Sequence, residues 1–197
     1  MMKHALLAAA LAASALAGIE SAWAAGPAGY ARSLSNAPAV SYITLRQPTL
    51  APFAQVRFCL QNPDECRPSQ AASMVTMTAA TQEQMNAINS DVNRAIVGVN
   101  DSPGEDVWSV NVKSGDCEDY ALTKRDHLIA LGWSPRALRI AVAQTPSGEG
   151  HAVLVVKTDK GDLVLDNRNN RIRSWRDTDL HWVKIQSGDD PHRWYDL

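Results

Sequence analysis

Three side chains able to carry out acyl transfer stand in the second half of the sequence: a cysteine at 117, a histidine at 151 and an aspartate at 166. Cys117 lies in Gly115-Asp116-Cys117-Glu118-Asp119-Tyr120-Ala121. Ala121, Leu122, Leu128, Ile129 and Leu131 then recur at helical spacing until Gly132 ends the run. Gly115 is expected to supply a tight turn and Asp116 to cap the first helical turn. The cysteine is thereby set where the N–H groups of a helix start point outward unpaired. That position stabilises a thiolate and leaves donors for an oxyanion, which suits nucleophilic chemistry. The competing reading is a buried structural thiol, packed as a small apolar side chain.

A nucleophilic thiol needs a base, and the base an orienting partner. Of the five histidines, His151 fits best, because it opens an apolar run directly after a polar, glycine-containing loop. His4 falls in the leader, His127 lies about three turns along the cysteine's own helix, and His181 and His192 sit in polar C-terminal segments. Asp166 is the matching orienter, since HAVLVVKT and DLVLDN flank Asp159-Lys160-Gly161 and read as a β-hairpin. With Lys160 at the turn centre, Asp166 pairs near Leu154, roughly 10 Å along the strand from His151, and a bulge or off-centre loop has to close the gap. Asn167 is a second side chain able to orient the imidazole.

The carboxylates around Cys117 disfavour a thiolate and so call for another role. Asp116 and Glu118 either hold a hard cation through oxygen ligands or serve as caps and salt-bridge partners; no full EF-hand loop is present.

Length and composition bound the rest. The chain has 197 residues, is 45% hydrophobic and carries a formal net charge of −2, the profile of one globular domain with its own core. So small a net charge, with no basic run, gives no reason to expect nucleic acid or a membrane surface as partner. Residues 1–24 read as a secretory signal peptide: Lys3, an apolar run from Ala5 to Ile19, then Ala22-Trp23-Ala24. The run is too short for a transmembrane helix, and no later stretch qualifies. Export makes a disulfide between Cys59 and Cys66 the expected pairing, with Asn62-Pro63-Asp64 turning the chain between them. Cys117 is then left as the one unpaired thiol of three cysteines in an oxidising compartment.

In chain order, residues 25–80 form an arm containing the disulfide, and residues 81–197 the core. Thr81 and Gln84 have capping-box spacing, and Met85, Ile88, Val92, Ile96 and Val99 mark an amphipathic helix. Asn86, Asn89 and Asn93 fall among its polar positions. A short strand is expected near Met74–Thr78, others at Leu138–Ala143, in the two hairpin arms and at Trp182–Gln186, with Arg168–Arg173 as a basic loop. Helices followed by strands without βαβ alternation imply an α+β domain whose helices pack on a largely antiparallel sheet.

Trp108, the Gly-Asp-Cys-Glu-Asp-Tyr-Ala run, Lys124, Leu131-Gly132, His151-Ala152-Val153-Leu154 and Leu165-Asp166-Asn167 together resemble the bacterial transglutaminase-like cysteine peptidases, whose LapG-like periplasmic members cleave large surface adhesins. The resemblance spans roughly Thr81 to Arg173. It implies a papain-like, transglutaminase-type fold, with Cys117 as nucleophile, His151 as general base and Asp166 as its orienter. By the same likeness Asp116 and Glu118 match calcium ligands. Trp108 matches an aromatic of the substrate cleft, with filling the core as its other reading. A protein substrate, periplasmic location and an inner-membrane cyclic-dinucleotide receptor as regulator are implied in the same way. The Cys59–Cys66 segment and the arm before Pro52 fall outside the matched part. A transglutaminase using the same triad, or a non-catalytic calcium-dependent binding module, would share these features.

Overall fold

Alternation and β-branching in the C-terminal half become one sheet, onto which the helical segments fold. The structure is a computed structural model that describes residues 40–102 and 104–197. The signal peptide expected at 1–24, and the start of the arm, lie outside the described residues. The elements are β1 (Pro48–Thr49), α1 (Phe53–Gln61), α2 (Ala79–Ala95), β2 (Val97–Gly98), β3 (Ser114–Gly115) and α3 (Cys117–Ala130), followed by β4 (Leu138–Gln144), β5 (Gly150–Thr158), β6 (Gly161–Asp166), β7 (Asn169–Ser174), β8 (His181–Gln186) and β9 (Trp194–Asp196).

Seven strands form the main sheet in the order β1-β9-β8-β4-β5-β6-β7, and every pairing in it is antiparallel. β2 and β3 make a separate parallel pair. The inner strand β5 is buried along most of its length because both faces of the sheet are covered, which explains its unbroken apolar run. On one face, Met85 and Leu128 from the helices meet Leu138, Ile140, Leu154 and Leu165. On the other, Val153, Val155, Val164 and Ile185 pack under Ile43 and Leu180. The α+β class with helices on a largely antiparallel sheet is therefore the observed one. No described helix is long and apolar enough to cross a membrane.

Several local expectations are corrected. α2 starts at Ala79, with Thr78 as its N-cap. Thr78 Oγ1 accepts from Thr81 N–H at 3.2 Å, and Thr81 Oγ1 accepts from Thr78 N–H at 2.8 Å, so Thr81 is the third residue of the box and not its first. The helix also stops at Ala95, because Val97 N–H bonds Lys113 O at 3.0 Å to begin β2. Two asparagines on the polar positions of α2 reach across to the sheet, Asn93 remaining half-buried. Asn89 is fully buried, and its Nδ2 donates to Asn170 O at 3.0 Å, while Asn93 Nδ2 donates to Asp166 O at 3.1 Å. The segment expected as a basic loop is strand β7, which these asparagines clasp. Near Met74–Thr78 a single bridge, Val75 to Thr158, replaces a strand.

The hairpin differs from expectation by one residue, with large effect. Thr158 pairs with Gly161 and Leu154 with Leu165, so the turn is Asp159-Lys160 and its centre falls between these residues. Asp166 is thereby carried to the level of Val153, on the same face of the sheet as His151. Pairing with Leu154 would have put it on the opposite face.

The segment from Pro48 to Cys66 joins the same core: β1 pairs with β9, and Ala54, Phe58, Cys59 and Cys66 belong to the main apolar cluster. Cys59 and Cys66 form a disulfide with Cα atoms 5.5 Å apart. Its loop is tied to the cysteine's helix by an ion pair between Glu65 and the buried Arg125, at 2.9 Å.

Candidate active site

α3 begins at Cys117, and eight consecutive residues, Glu118 to Arg125, are buried. Over this stretch the helix is walled in by α2 and the sheet. Asp119 fixes its start: Oδ2 accepts from Asp116 N–H at 3.3 Å and Oδ1 from Ser109 N–H at 2.7 Å. Gly115 does not make a tight turn. It lies in β3, and a side-chain carbon there would collide with the Asp119 carboxylate, so glycine is required for close approach. At the other end Gly132 adopts a φ of 87° and terminates the helix as expected.

Cys117, His151 and Ala152 line one cleft of about 390 Å³, together with Trp108, Asp101 and Glu118. Ala152 N–H donates to Cys117 Sγ at 3.2 Å, which fixes the start of β5 against the start of α3. His151 is 7% exposed, and its Nε2 is 2.9 Å from Asp166 Oδ1. With Nε2 so engaged, Nδ1 is the ring nitrogen left for the cleft. Asp166 Oδ1 also accepts from Arg168 N–H at 2.9 Å, and Oδ2 accepts from Arg168 Nε at 3.1 Å and Nη2 at 3.0 Å. Burial alone would raise this carboxyl, but the bonds from His151 and Arg168 hold it well below the usual carboxylate range.

The carboxylates beside Cys117 act in the other sense. Burial, then the Glu118 charge, pushes the Cys117 thiol up to about 12. Burial likewise pushes Glu118 up to about 8, with Asp116 adding to it. Asp101, Asp116 and Glu118 bring carboxylate oxygens within 4.8 Å of one another. Asp116 Oδ1 is buried with no hydrogen-bond partner, and Asp101 N–H approaches Asp116 Oδ2 at 3.4 Å. Three converging carboxylates with an orphaned buried oxygen fit a hard cation.

Trp108 lines the cavity of Cys117 and meets Trp194 edge-on at 6.5 Å, while its Nε1 donates to Asp106 at 2.9 Å. Asn167 falls outside the cleft lining, in the turn after β6, with a buried Oδ1 that finds no partner. Two participants escaped the sequence reading. Asp101 carries no sequence signal that sets it apart from other loop aspartates. Arg168 was read as loop, although an aspartate accepting from the N–H two residues on is a common turn device and was the available signal.

The family model for "Bacterial transglutaminase-like cysteine proteinase" matches residues 45–197. The chain belongs to this family. The family match takes in the Cys59–Cys66 segment as well as the core. Calcium-bound LapG of Legionella pneumophila is similar in structure, with 26% identity over 58% of this chain and 68% of that one and a TM-score of 0.52, which agrees with a transglutaminase-like fold. The EGTA-treated form of that protein aligns at 28% identity over 53% of this chain and 62% of that one, with a TM-score of 0.48. No curated protein matches the chain.

Proposed function

We propose that this peptidase is an exported endopeptidase that works through Cys117, His151 and Asp166. The observation that carries the reading is the 2.9 Å bond from His151 Nε2 to Asp166 Oδ1, which turns Nδ1 toward the cleft shared with Cys117. His151 takes the thiol proton as Sγ attacks a peptide carbonyl, and Asp166 holds the ring and offsets the imidazolium charge. The Cys117 N–H, in the first turn of α3, faces the developing oxyanion. His151 then returns the proton to the leaving amine, and water releases the thioester.

Asp101, Asp116 and Glu118 are the residues that would hold calcium, a reading supported by the existence of a calcium-bound LapG structure. When bound, the ion supplies positive charge beside the nucleophile's carboxylates. The chain residues themselves join the start of α3 to the loop of Asp101.

The substrate proposed is a surface or periplasmic protein, by likeness to the adhesin-cleaving members, and the leader places the enzyme in the periplasm. An inner-membrane cyclic-dinucleotide receptor as regulator rests on that likeness alone. Cys117→Ala should abolish cleavage of secreted proteins while the melting temperature stays close to that of the parent. Undiminished cleavage by this variant overturns the reading. Incorporation of a labelled primary amine in preference to hydrolysis would reassign the same triad to acyl transfer.

A further inference from the structure

The His151–Asp166 bond joins two cavities that have no lining residue in common. His151 lines the cleft of Cys117, whereas Asp166 lines a second cavity of about 320 Å³ between β6, β7 and the Thr178-Asp179 segment. Three arginines line that second cavity, Arg168, Arg171 and Arg173. Its two carboxylates are both taken by Arg168: Nη2 lies 3.0 Å from Asp166 Oδ2 and 2.6 Å from Asp179 Oδ1. Arg171 and Arg173 have no carboxylate partner among the described residues, and as alternate residues of the edge strand β7 they share one face.

The two bonds of Arg168 differ in how readily they can be exchanged. Asp166 has 10% of its side chain exposed, but Asp179 has 55%, and an ion pair to so exposed a carboxylate contributes little. An incoming dianion could replace Asp179 on the guanidinium and take Arg171 and Arg173 as further partners. Guanidinium forks match paired anionic oxygens, and the volume is at the lower end of that of ordinary small-ligand pockets.

We propose that this cavity binds a small dianion of phosphate or dicarboxylate type on Arg168, Arg171 and Arg173, and that occupancy is transmitted to His151 through Arg168 and Asp166. Binding draws the Arg168 fork toward the ligand and loosens the carboxylate that orients the imidazole. The transmission rests on the catalytic reading above; the site itself does not.

The test uses the full exported chain with inorganic phosphate or succinate as probe, at ionic strength held constant with KCl. Thermal melting measures binding, and the iodoacetamide alkylation rate of Cys117, the one free thiol, measures the dyad. Phosphate or succinate should raise the melting temperature saturably in the parent and in Cys117→Ala, and should slow alkylation about fivefold, the low end of ordinary coupling. In Arg171→Gln/Arg173→Gln, whose altered side chains lie on the rim of the sheet, the probe should no longer slow alkylation, and the rates with and without it should be equal. The arm that responds, phosphate or succinate, identifies the ligand type. No saturable shift, or the same shift in KCl alone or in the double variant, overturns the site. A shift without slowed alkylation, in a parent that alkylates faster than His151→Ala, overturns the transmission. If the parent alkylates no faster than His151→Ala, the catalytic reading falls and the transmission with it, and melting still decides the site.

Discussion

His151 and Asp166 are diagonal neighbours across the β5–β6 ladder, with Asp166 level with Val153 and both side chains on one face. The two-residue turn Asp159-Lys160 sets this, since side chains alternate and a register shifted by one would separate the pair. Asp166→Asn keeps the shape and removes the charge that offsets the imidazolium. Activity and Cys117 alkylation should fall by ~10²-fold or more, with the melting temperature reduced far less than the rate. A variant with parental alkylation kinetics would show that Asp166 does not act on His151.

Calcium should bind at Asp101, Asp116 and Glu118. In calorimetric titration, binding should be lost in Asp101→Asn and in Asp116→Asn. Added calcium should raise the melting temperature of the parent and not of these variants. Full activity and an unchanged melting curve in excess chelator would leave the three carboxylates with structural roles only.

Lys124 has no exposed surface, and its Nζ meets no hydrogen-bond partner. Burial pushes the ammonium down from its usual 10.5 to about 7, with Asp166 acting weakly the other way. Between those two values the unfolded chain holds a proton that the folded chain lacks, so this group makes stability rise with pH from about 7 upward. Below that window both states are protonated and the full burial cost remains. Lys124→Met should therefore stabilise the protein by about 1–3 kcal/mol at pH 6. The gain should shrink toward pH 10, as followed by urea unfolding across that range.

Gly115→Ala should destabilise by about 1–3 kcal/mol. The new methyl meets the Asp119 carboxylate and has to displace it from the N–H groups of Ser109 and Asp116. Urea midpoints of the variant and of Gly115→Ala/Asp119→Ala separate the causes: the added methyl should cost much less once the carboxylate is gone.

Much of the fold was legible where one physical signal dominated. The β-branched runs of β5 and β6 gave the hairpin, Gly132 gave the end of α3, and two cysteines seven residues apart gave the disulfide. Where two signals competed, boundaries slipped. Thr78 and Thr81 are both good caps, and only the Ala79-Ala80 pair between them lets the helix start early. Asn89 falls among the polar positions of its helix, and its burial depends on the carbonyl of Asn170 that β7 offers across the interface. The orientation of His151 by Asp166 could be argued from a hairpin, but the register needed the turn length. Asp101 meets Asp116 and Glu118 through a contact between segments that no periodicity encodes.

The enclosure of α3 bears on how the enzyme can fail. Its first residue carries the thiol, and the next eight are sealed between α2, the sheet and the Glu65 loop. No partial opening can release this helix without parting the layers of the core, so its amide protons should exchange with deuterium only as fast as the whole molecule unfolds. The reactive group is thus attached to the last element to come loose, and heating should give molecules that are either intact and competent or wholly unravelled.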